Sequence, residues 1–183
     1  MSGQQNLVSA AKNGDREAFG ELYRQSYEDL YKFAFYVLKN DQDAQDAVSD
    51  AVADAWAGIG RLREDGAFRG WMFKILSAKC KRRLKSYVAR NQIAPLEDAE
   101  LLAREEGEKE LTMDLKQAFS QLSDEERLIV SLTVFGGYDS GEIAKMLKLN
   151  RNTVRSKHSR ALAKLKLFLG EKQERTLERR REA

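Results

Sequence analysis

The chain has 183 residues, of which 42% are hydrophobic and 33% charged, enough for one large or two small domains with buried cores. One proline among long stretches of Ala, Leu, Glu, Lys and Arg predicts an all-helical protein. No apolar run approaches the roughly 18 residues of a membrane helix, and the N-terminus is no signal peptide. The single cysteine, Cys80, excludes an intramolecular disulfide and favours a cytoplasmic location.

The net charge of +3 conceals a strong segregation along the chain. Residues 61–90 hold 10 basic and 2 acidic side chains, and residues 127–170 hold 9 basic and 2 acidic ones. An acidic block, residues 91–126, separates them. Two such blocks predict two nucleic-acid contact surfaces joined by a segment that DNA would repel. The alternative is that the acidic and basic blocks neutralise one another inside one compact domain.

The N-terminal sequence predicts three helices with recognisable ends. A short helix ends at Gly14, and Asp15 then caps a longer helix that reaches about Leu38. Asp41 is predicted to cap a third helix, which runs to about Ala57.

The third helix carries aspartates at helical spacing, all within about 80° of one another. This acidic stripe consists of Asp43, Asp46, Asp50 and Asp54. Four like charges on one side of a helix repel one another and destabilise the helix. The stability of the third helix therefore does not explain the stripe. A basic partner surface would explain it, and a merely solvated acidic face is the alternative.

A loop rich in Gly and Arg and then a basic helix follow the acidic stripe. We predict a flexible loop over residues 58–70 and a helix from about Phe68 to Tyr87. Aromatic side chains at the head of a cationic helix suit an unpaired nucleic-acid strand, because bases stack on the rings while cations hold the backbone. For Trp56 and Trp71 themselves, core packing is the expected role.

The linker between the two basic blocks contains the chain's proline, Pro95, and has little apolar content, so it is predicted to be a flexible acidic linker. A new apolar pattern starts at Leu111. Ser123 with Glu126 forms a capping box that opens a further helix. The charged segment from residue 171 onward is expected to fray.

The stretch from Asp139 to Leu169 predicts a helix-turn-helix. Asp139 with Glu142 fits one capping box, and Asn150 caps the second, longer helix. One side of the second helix is apolar. The other combines short hydrogen-bonding side chains with cations, which suits the major groove of DNA. A basic amphipathic surface helix without special function is the alternative.

Two groups of motifs resemble one protein family, the extracytoplasmic-function sigma factors, which are two-domain initiation subunits of bacterial RNA polymerase. The first group consists of AFGELYRQSYEDLYKFA, AQDAVSDAVADAW and FRGWMFKIL. The second consists of LSDEERLIVSL and GGYDSGEIAKMLKLNRNTVRSKHSRALAKLK. Together they cover roughly residues 18–87 and 111–167, in the order and spacing of the family. Helix-turn-helix segments of this kind also occur in response regulators, so the pair is the specific signal.

The resemblance implies an all-α fold of two small helical domains joined by a flexible acidic linker, the second domain a helix-turn-helix. We expect a region 2 domain over residues 1–88, a linker over 89–110, a region 4 domain over 111–170 and a charged tail over 171–183. The linker would thread toward the RNA exit path of the polymerase. The implied protein is not an enzyme and has no cofactor. It confers promoter specificity, and an anti-sigma factor holds it inactive.

The resemblance also implies roles for individual residues. The acidic helix would dock on the clamp helices of the largest polymerase subunit through Asp46, Ser49, Asp50 and Asp54. The polymerase flap would be a further contact of the chain. The promoter −10 element would be melted and held by Arg61, Arg63, Phe68, Arg69, Lys74, Lys81 and Arg82. The −35 element would be recognised by Asn152, Thr153, Arg155, Ser156, Ser159 and Arg160.

Several residues depart from the family pattern. Ser49 stands where glutamine is usual, Ala78 where asparagine is frequent, and Arg82 near a usual aspartate. His158 falls on the inward side of the second helix and is expected to be partly buried, with a pH-sensitive switch as the alternative. Neither His158 nor Cys80 has an identifiable catalytic or metal-binding partner.

Three other functions are weaker. A stand-alone helix-turn-helix regulator leaves the acidic stripe and the basic, aromatic-headed helix unexplained. An enzyme lacks any Ser/His/Asp set, metal cluster or phosphate loop in the sequence. A helical adaptor without DNA contact does not account for the two basic blocks.

Overall fold

The computed structural model describes residues 3–89 and 106–182, and the side chains of residues 3–89 and 113–171. Within these ranges the regular elements are all helical, as predicted. The first four helices are α1 (Gly3–Lys12), α2 (Arg16–Leu38), α3 (Asp41–Gly58) and α4 (Phe68–Ala89). The others are α5 (Glu106–Ser120), α6 (Asp124–Val134), α7 (Ser140–Leu147) and α8 (Arg151–Glu182). No described helix is long and apolar enough to cross a membrane.

The described residues form two compact units. The first contains α1–α4 together with Ser131–Asp139, and the second contains residues 106–130 and α7 with α8. The sequence had placed Ser131–Asp139 with the second domain. Residues 90–105, which include Pro95 and most of the predicted linker, lie outside the described residues, and α5 begins before the expected Leu111.

Helix ends in the first unit follow local side-chain chemistry. Gly14 has a φ of +92°, the conformation that ends α1. The Asp15 carboxylate accepts hydrogen bonds from the backbone amides of Glu17 (2.9 Å) and Ala18 (3.1 Å), as an N-cap does. For α3 the predicted cap, Asp41, is wrong, because Asn40 accepts from the Asp43 amide at 2.7 Å. Asp41 instead accepts a hydrogen bond from the hydroxyl of Tyr31.

The core of the first unit surrounds α2. Its large buried side chains include Leu22, Leu30 and Phe33, which meet α3 and α4. Phe33 and Phe73 pack edge to face with ring centroids 5.6 Å apart, an arrangement that favours aromatic pairs beyond the area they bury. This packing holds one side of α4 against α2. The polar side of α4, opposite the core, therefore faces away from α2.

The segment between α3 and α4 is more ordered than predicted. It contains two 3₁₀ turns, Ile59–Arg61 and Asp65–Ala67. Ile59 and Leu62 are buried, so the segment is tied to the core through two apolar side chains. Helix-breaking glycines suggested flexibility, but the apolar residues among them decide the conformation.

The helix-turn-helix is present in the second unit. The capping box of α6 is confirmed, since the Ser123 amide donates to Glu126 (2.8 Å) and the Glu126 amide donates to the Ser123 hydroxyl (3.3 Å). Lys148, with a φ of +58°, turns the chain between α7 and α8. Asn150 caps α8 by accepting from the Asn152 amide at 2.8 Å.

The final helix is longer than expected. The charged segment from residue 171 was predicted to fray, but α8 continues to Glu182. Residues 171–182 consist mostly of Glu, Lys, Arg, Gln and Leu, which are strong helix formers, and they continue the helix past Gly170.

Candidate nucleic-acid interface

The acidic stripe of α3 faces the C-terminal half of α4, where Arg83 lies among the aspartates. The Arg83 guanidinium is 2.7 Å from Asp43, 3.5 Å from Asp50 and 3.9 Å from Asp46. Tyr87, one turn further along α4, donates its hydroxyl to Asp43. Burial and this hydrogen bond raise the pKa of Tyr87, so it stays protonated at neutral pH. An internal basic partner, which the sequence did not reveal, therefore accounts for the inner edge of the stripe.

The outer edge of the stripe remains open to solvent. Lys79 lies 2.5 Å from Asp54, and the Gln42 side chain donates to Asp46 at 3.1 Å. Two cations, Lys79 and Arg83, against four carboxylates leave an excess of negative charge. The side chains of Asp46 and Asp50 are each 49% exposed, so the stripe still presents carboxylate oxygens to an external basic surface.

Ser49 lies beside the acidic stripe. It lines a groove of ≈ 520 Å³ between α2 and α3, whose walls include Tyr23, Val52 and Trp56. Trp56 packs edge to face on Phe19 across this groove, with ring centroids 5.2 Å apart. Ser49 is exposed one helical turn after Asp46, so it lies at the edge of the stripe and lines this groove as well.

The solvent side of α4 carries cations that the acidic stripe does not bind. Lys74, Arg82 and Lys85 are exposed and form no ion pair with the side chains that the structure describes. Trp71 is half-buried beside them. A surface cleft of ≈ 410 Å³ runs along this side and is lined by Asp54, Trp71, Lys74, Ile75, Ala78, Lys79 and Arg82. An indole ring next to lysine and arginine side chains can bind a single nucleic-acid strand, because a base stacks on the ring while the cations contact the phosphates.

Two residues at the head of α4 have structural roles. Phe68 is 1% exposed and packs edge to face on Phe19, so its ring cannot stack on a base in this conformation. Phe68 thus supports the head of α4 from within the core, whereas the sequence predicts it as a contact to the −10 element. Arg69 pairs with Asp29 at 2.9 Å, donates to the Phe135 carbonyl at 2.7 Å and lies over the ring of Phe73. These contacts occupy its guanidinium.

The remaining candidates of this surface lie on the preceding loop and on the next turns of α4. Arg61 and Arg63 are exposed on either side of the buried Leu62. Leu62 therefore anchors the loop while both flanking guanidinium groups face solvent. Lys81 is half-buried. The structure thus presents Arg61, Arg63, Lys74 and Arg82 on the outside of the first unit.

In the second unit the outward side of α8 matches the sequence prediction. Val154 and Ala161 are buried, and this orients the helix. The polar side chains opposite them are exposed, with Thr153 half-buried at the edge; they are Asn152, Arg155, Ser156, Ser159 and Arg160. His158 is half-buried, as expected. This side can offer several hydrogen-bonding groups and two guanidinium groups to a major groove.

The edge cations of α8 hold the helix to α6 instead. Lys157 lies 2.9 Å from Glu125, and Lys164 lies 3.0 and 2.8 Å from the two carboxylate oxygens of Glu126. Burial alone would raise the pKa of Glu126, but hydrogen bonds from Lys164 and Ser123 outweigh it and hold that pKa below its ordinary value. The Glu126 carboxylate therefore caps α6 and fixes α8 at the same time.

Other chemistry is not built into the described residues. Among them, no group of three His, Cys, Asp or Glu side chains could hold a metal ion. Cys80 is fully buried, and burial raises the pKa of its thiol, which keeps the thiol protonated and unreactive.

Two known protein families match successive parts of the chain. The Sigma-70 region 2 family matches residues 22–90, and the Sigma-70 region 4 family matches residues 112–165. The region 2 match contains the acidic stripe, the loop and α4. The region 4 match contains the helix-turn-helix.

Whole-chain relatives extend the similarity. The chain is 34% identical over 164 residues to the ECF RNA polymerase sigma factor SigM of Mycobacterium tuberculosis, covering 90% of this chain and 83% of SigM. It is 26% identical to the ECF RNA polymerase sigma-E factor of Escherichia coli, covering 86% and 89%. A solved structure of CnrH in complex with the cytosolic domain of CnrY shares the fold with a TM-score of 0.64 at 22% identity, covering 93% of this chain and 99% of CnrH.

Replacing Arg83 tests the internal role of the acidic stripe. In Arg83→Gln the aspartates lose their central cation and repel one another, so we expect a loss of about 1 kcal/mol in the free energy of unfolding. Urea titration measures it. The matched control is Arg82→Gln, which removes the neighbouring exposed guanidinium and should leave stability nearly unchanged. Equal losses in the two variants would contradict the role given to Arg83.

Glu126 gives a pH-dependent prediction. Because the pKa of Glu126 is depressed in the folded chain, its contribution is complete above the ordinary glutamate pKa of about 4.3 and disappears as pH falls through the lower folded value. Glu126→Gln should therefore accelerate hydrogen exchange in α6 and α8 at pH 7, and the difference from wild type should shrink toward acid pH. Glu125→Gln, which removes a half-exposed carboxylate, should have a much smaller effect. A Glu126→Gln difference that grows toward acid pH would refute this account.

Proposed function

We propose that this chain, which belongs to the ECF family of RNA polymerase sigma factors, uses the outward charges of its two units to join core polymerase to promoter DNA. As a member of the family it confers promoter specificity on transcription initiation. The observation that carries the assignment of surfaces is a division among cations. On α4, Lys79 and Arg83 bind acidic side chains of α3, and on α8, Lys157 and Lys164 bind those of α6. By contrast, no ion pair with a described side chain is formed by Lys74, Arg82 and Lys85 of α4 or by Arg155 and Arg160 of α8.

The outer edge of the acidic stripe is the proposed contact with the polymerase clamp helices. Asp46, Asp50 and Asp54 each keep about half of their side-chain surface exposed beside Lys79 and Arg83. A basic helix of the polymerase would meet carboxylates already held in place, which reduces the side-chain ordering required on binding. Ser49, on the neighbouring groove, would contact the polymerase beyond the stripe.

The −10 element is the proposed ligand of the loop and the solvent side of α4. Arg61, Arg63, Lys74 and Arg82 supply the phosphate contacts, with Lys81 at their edge. The cleft beside Trp71 offers a ring face against which an unstacked base fits. Phe68 supports this surface from within the core, and Arg69 supports it through its contacts with Asp29 and Phe73.

The −35 element is the proposed ligand of the outward side of α8. Asparagine, serine and threonine side chains, with Arg155 and Arg160, match the donors and acceptors of base edges and the flanking phosphates. The proposed contacts are Asn152, Thr153, Arg155, Ser156, Ser159 and Arg160. Contacts from α7, the first helix of the motif, would fall on the DNA backbone, as in other helix-turn-helix proteins.

An anti-sigma factor is the proposed regulator of the chain. Two proteins of the same fold were solved with such partners: CnrH with the cytosolic domain of CnrY, and RpoE of Bartonella quintana with the anti-sigma factor NepR. The second shares 21% identity, with a TM-score of 0.63 over 83% of this chain and 96% of RpoE. A partner that covers the outer edge of the acidic stripe would block polymerase directly.

The test is run-off transcription with core polymerase on templates selected from a random promoter library. Wild-type protein should give discrete transcripts that core polymerase alone does not. Asp46→Asn combined with Asp50→Asn should weaken core binding about tenfold, because both removed charges face the partner. Glu17→Gln combined with Glu21→Gln makes the same charge change on α2 and should leave binding unchanged.

Two outcomes would refute the proposal. If no template is transcribed above core polymerase alone, the chain does not direct initiation. If the chain binds its DNA equally well without polymerase and the aspartate variant has full activity, it acts as a stand-alone regulator.

A further inference from the structure

The first helix holds the loop that precedes α4. Val8 and Ala11 bury the inner side of α1. At its last turn, Lys12 forms an ion pair with Asp65, the first residue of the second 3₁₀ turn. The Gln5 side chain also lies against this turn, 3.8 Å from the position that a Cβ would occupy at Gly66. Helix α1 is thus in contact with the loop as well as with α2.

The Lys12–Asp65 pair is placed where it acts on the loop. The two side chains are 23% and 25% exposed, so water screens their attraction less than that of a surface pair. Lys12 lies in the last turn of α1, which is the favourable end of a helix for a cation. Gly14, two residues further on, has a φ of +92° and ends the helix there.

The pair supplies the second of two attachments that flank Arg63. On one side, Leu62 is buried and its amide donates to the Ile59 carbonyl at 3.0 Å. On the other side, Asp65 is held by Lys12. Arg63 lies between these attachments and is exposed. The ion pair thus adds a charged attachment after Arg63 to those made by Ile59, Leu62 and Gln5.

We propose that Lys12 is a positioning residue for promoter opening: through Asp65 it holds the loop so that Arg61 and Arg63 face the separating strand. The inference rests on the proposed −10 function of the loop. Residues 3–21, which include α1, lie outside the Sigma-70 region 2 match, so the family comparison assigns this helix no part in that function. The role follows from the contacts of this chain.

The experiment is a double-mutant cycle with Lys12→Gln, Asp65→Asn and the combined variant, each assembled with core polymerase. Open-complex formation is followed on a duplex promoter and on the same promoter with its −10 segment already unpaired. Each single variant should slow opening of the duplex by roughly threefold to fivefold. The combined variant should be no slower than either one, because all three lack the same pair. On the unpaired template the variants should match wild type.

The matched control is Lys32→Gln, which breaks an exposed ion pair with Glu28 on α2 and should leave opening unchanged. The positioning role of Lys12 is refuted if the effects of Lys12→Gln and Asp65→Asn multiply in the combined variant, or if the same delay persists on the unpaired template. It is also refuted if both single variants open the duplex at the wild-type rate.

A second readout keeps the two proposals apart. In the free full-length chain, Lys12→Gln should accelerate amide hydrogen exchange over residues 62–67, while Lys32→Gln should not. If wild-type protein directs no transcription, the proposed function fails, and exchange alone then decides whether Lys12 holds the loop. If amide hydrogen exchange over residues 62–67 is unchanged in Lys12→Gln, the positioning role of Lys12 is wrong, even where transcription is normal.

Discussion

The arrangement of the first unit depends on one charge cluster, in which Arg83 of α4 lies among the aspartates of α3. Four carboxylates on one side of a helix would repel one another, and Arg83 together with Lys79 offsets that repulsion from the inner edge. The apolar side of α4 that packs on α2 orients this helix, and Lys79 and Arg83 are the cations that this orientation brings to the aspartates of α3. A cluster that stabilises the fold thereby determines which charges remain for partners.

The second unit repeats this division with different residues. Lys157 and Lys164 bind Glu125 and Glu126 of α6, and Arg155 and Arg160 are left on the outward side of α8. In both units acidic residues pair with some cations of a basic helix and leave the other cations exposed. Ion pairs at partly exposed sites contribute little stability one by one, and in both units they occupy the inward cations while the outward ones stay exposed. The proposed promoter contacts are these outward cations.

Local chemistry was predictable from the sequence, and long-range pairing was not. The caps at Asp15 and Asn150 each depend on residues within three positions, whereas Asn40 was missed because an equally good cap, Asp41, follows it. The partner of the acidic stripe escaped prediction because Asp43 and Arg83 lie 40 positions apart and meet only when α3 packs on α4. The burial of Phe68 was not predicted, because an aromatic residue at a helix start suits either a hydrophobic core or a contact with an unpaired base. The pairing of Lys12 with Asp65 left no sequence signal beyond opposite charges at two helix ends.

The central claim, that inward cations hold the fold and outward cations hold DNA, is tested most directly by the salt dependence of promoter binding by the assembled holoenzyme. The variants are Arg82→Gln and Arg155→Gln for the outward set, and Arg83→Gln and Lys157→Gln for the inward set. Each outward variant should reduce the slope of log affinity against log salt by about one, the effect of one lost phosphate contact. Each inward variant should leave the slope at the wild-type value. Equal slopes for the two sets would contradict the account.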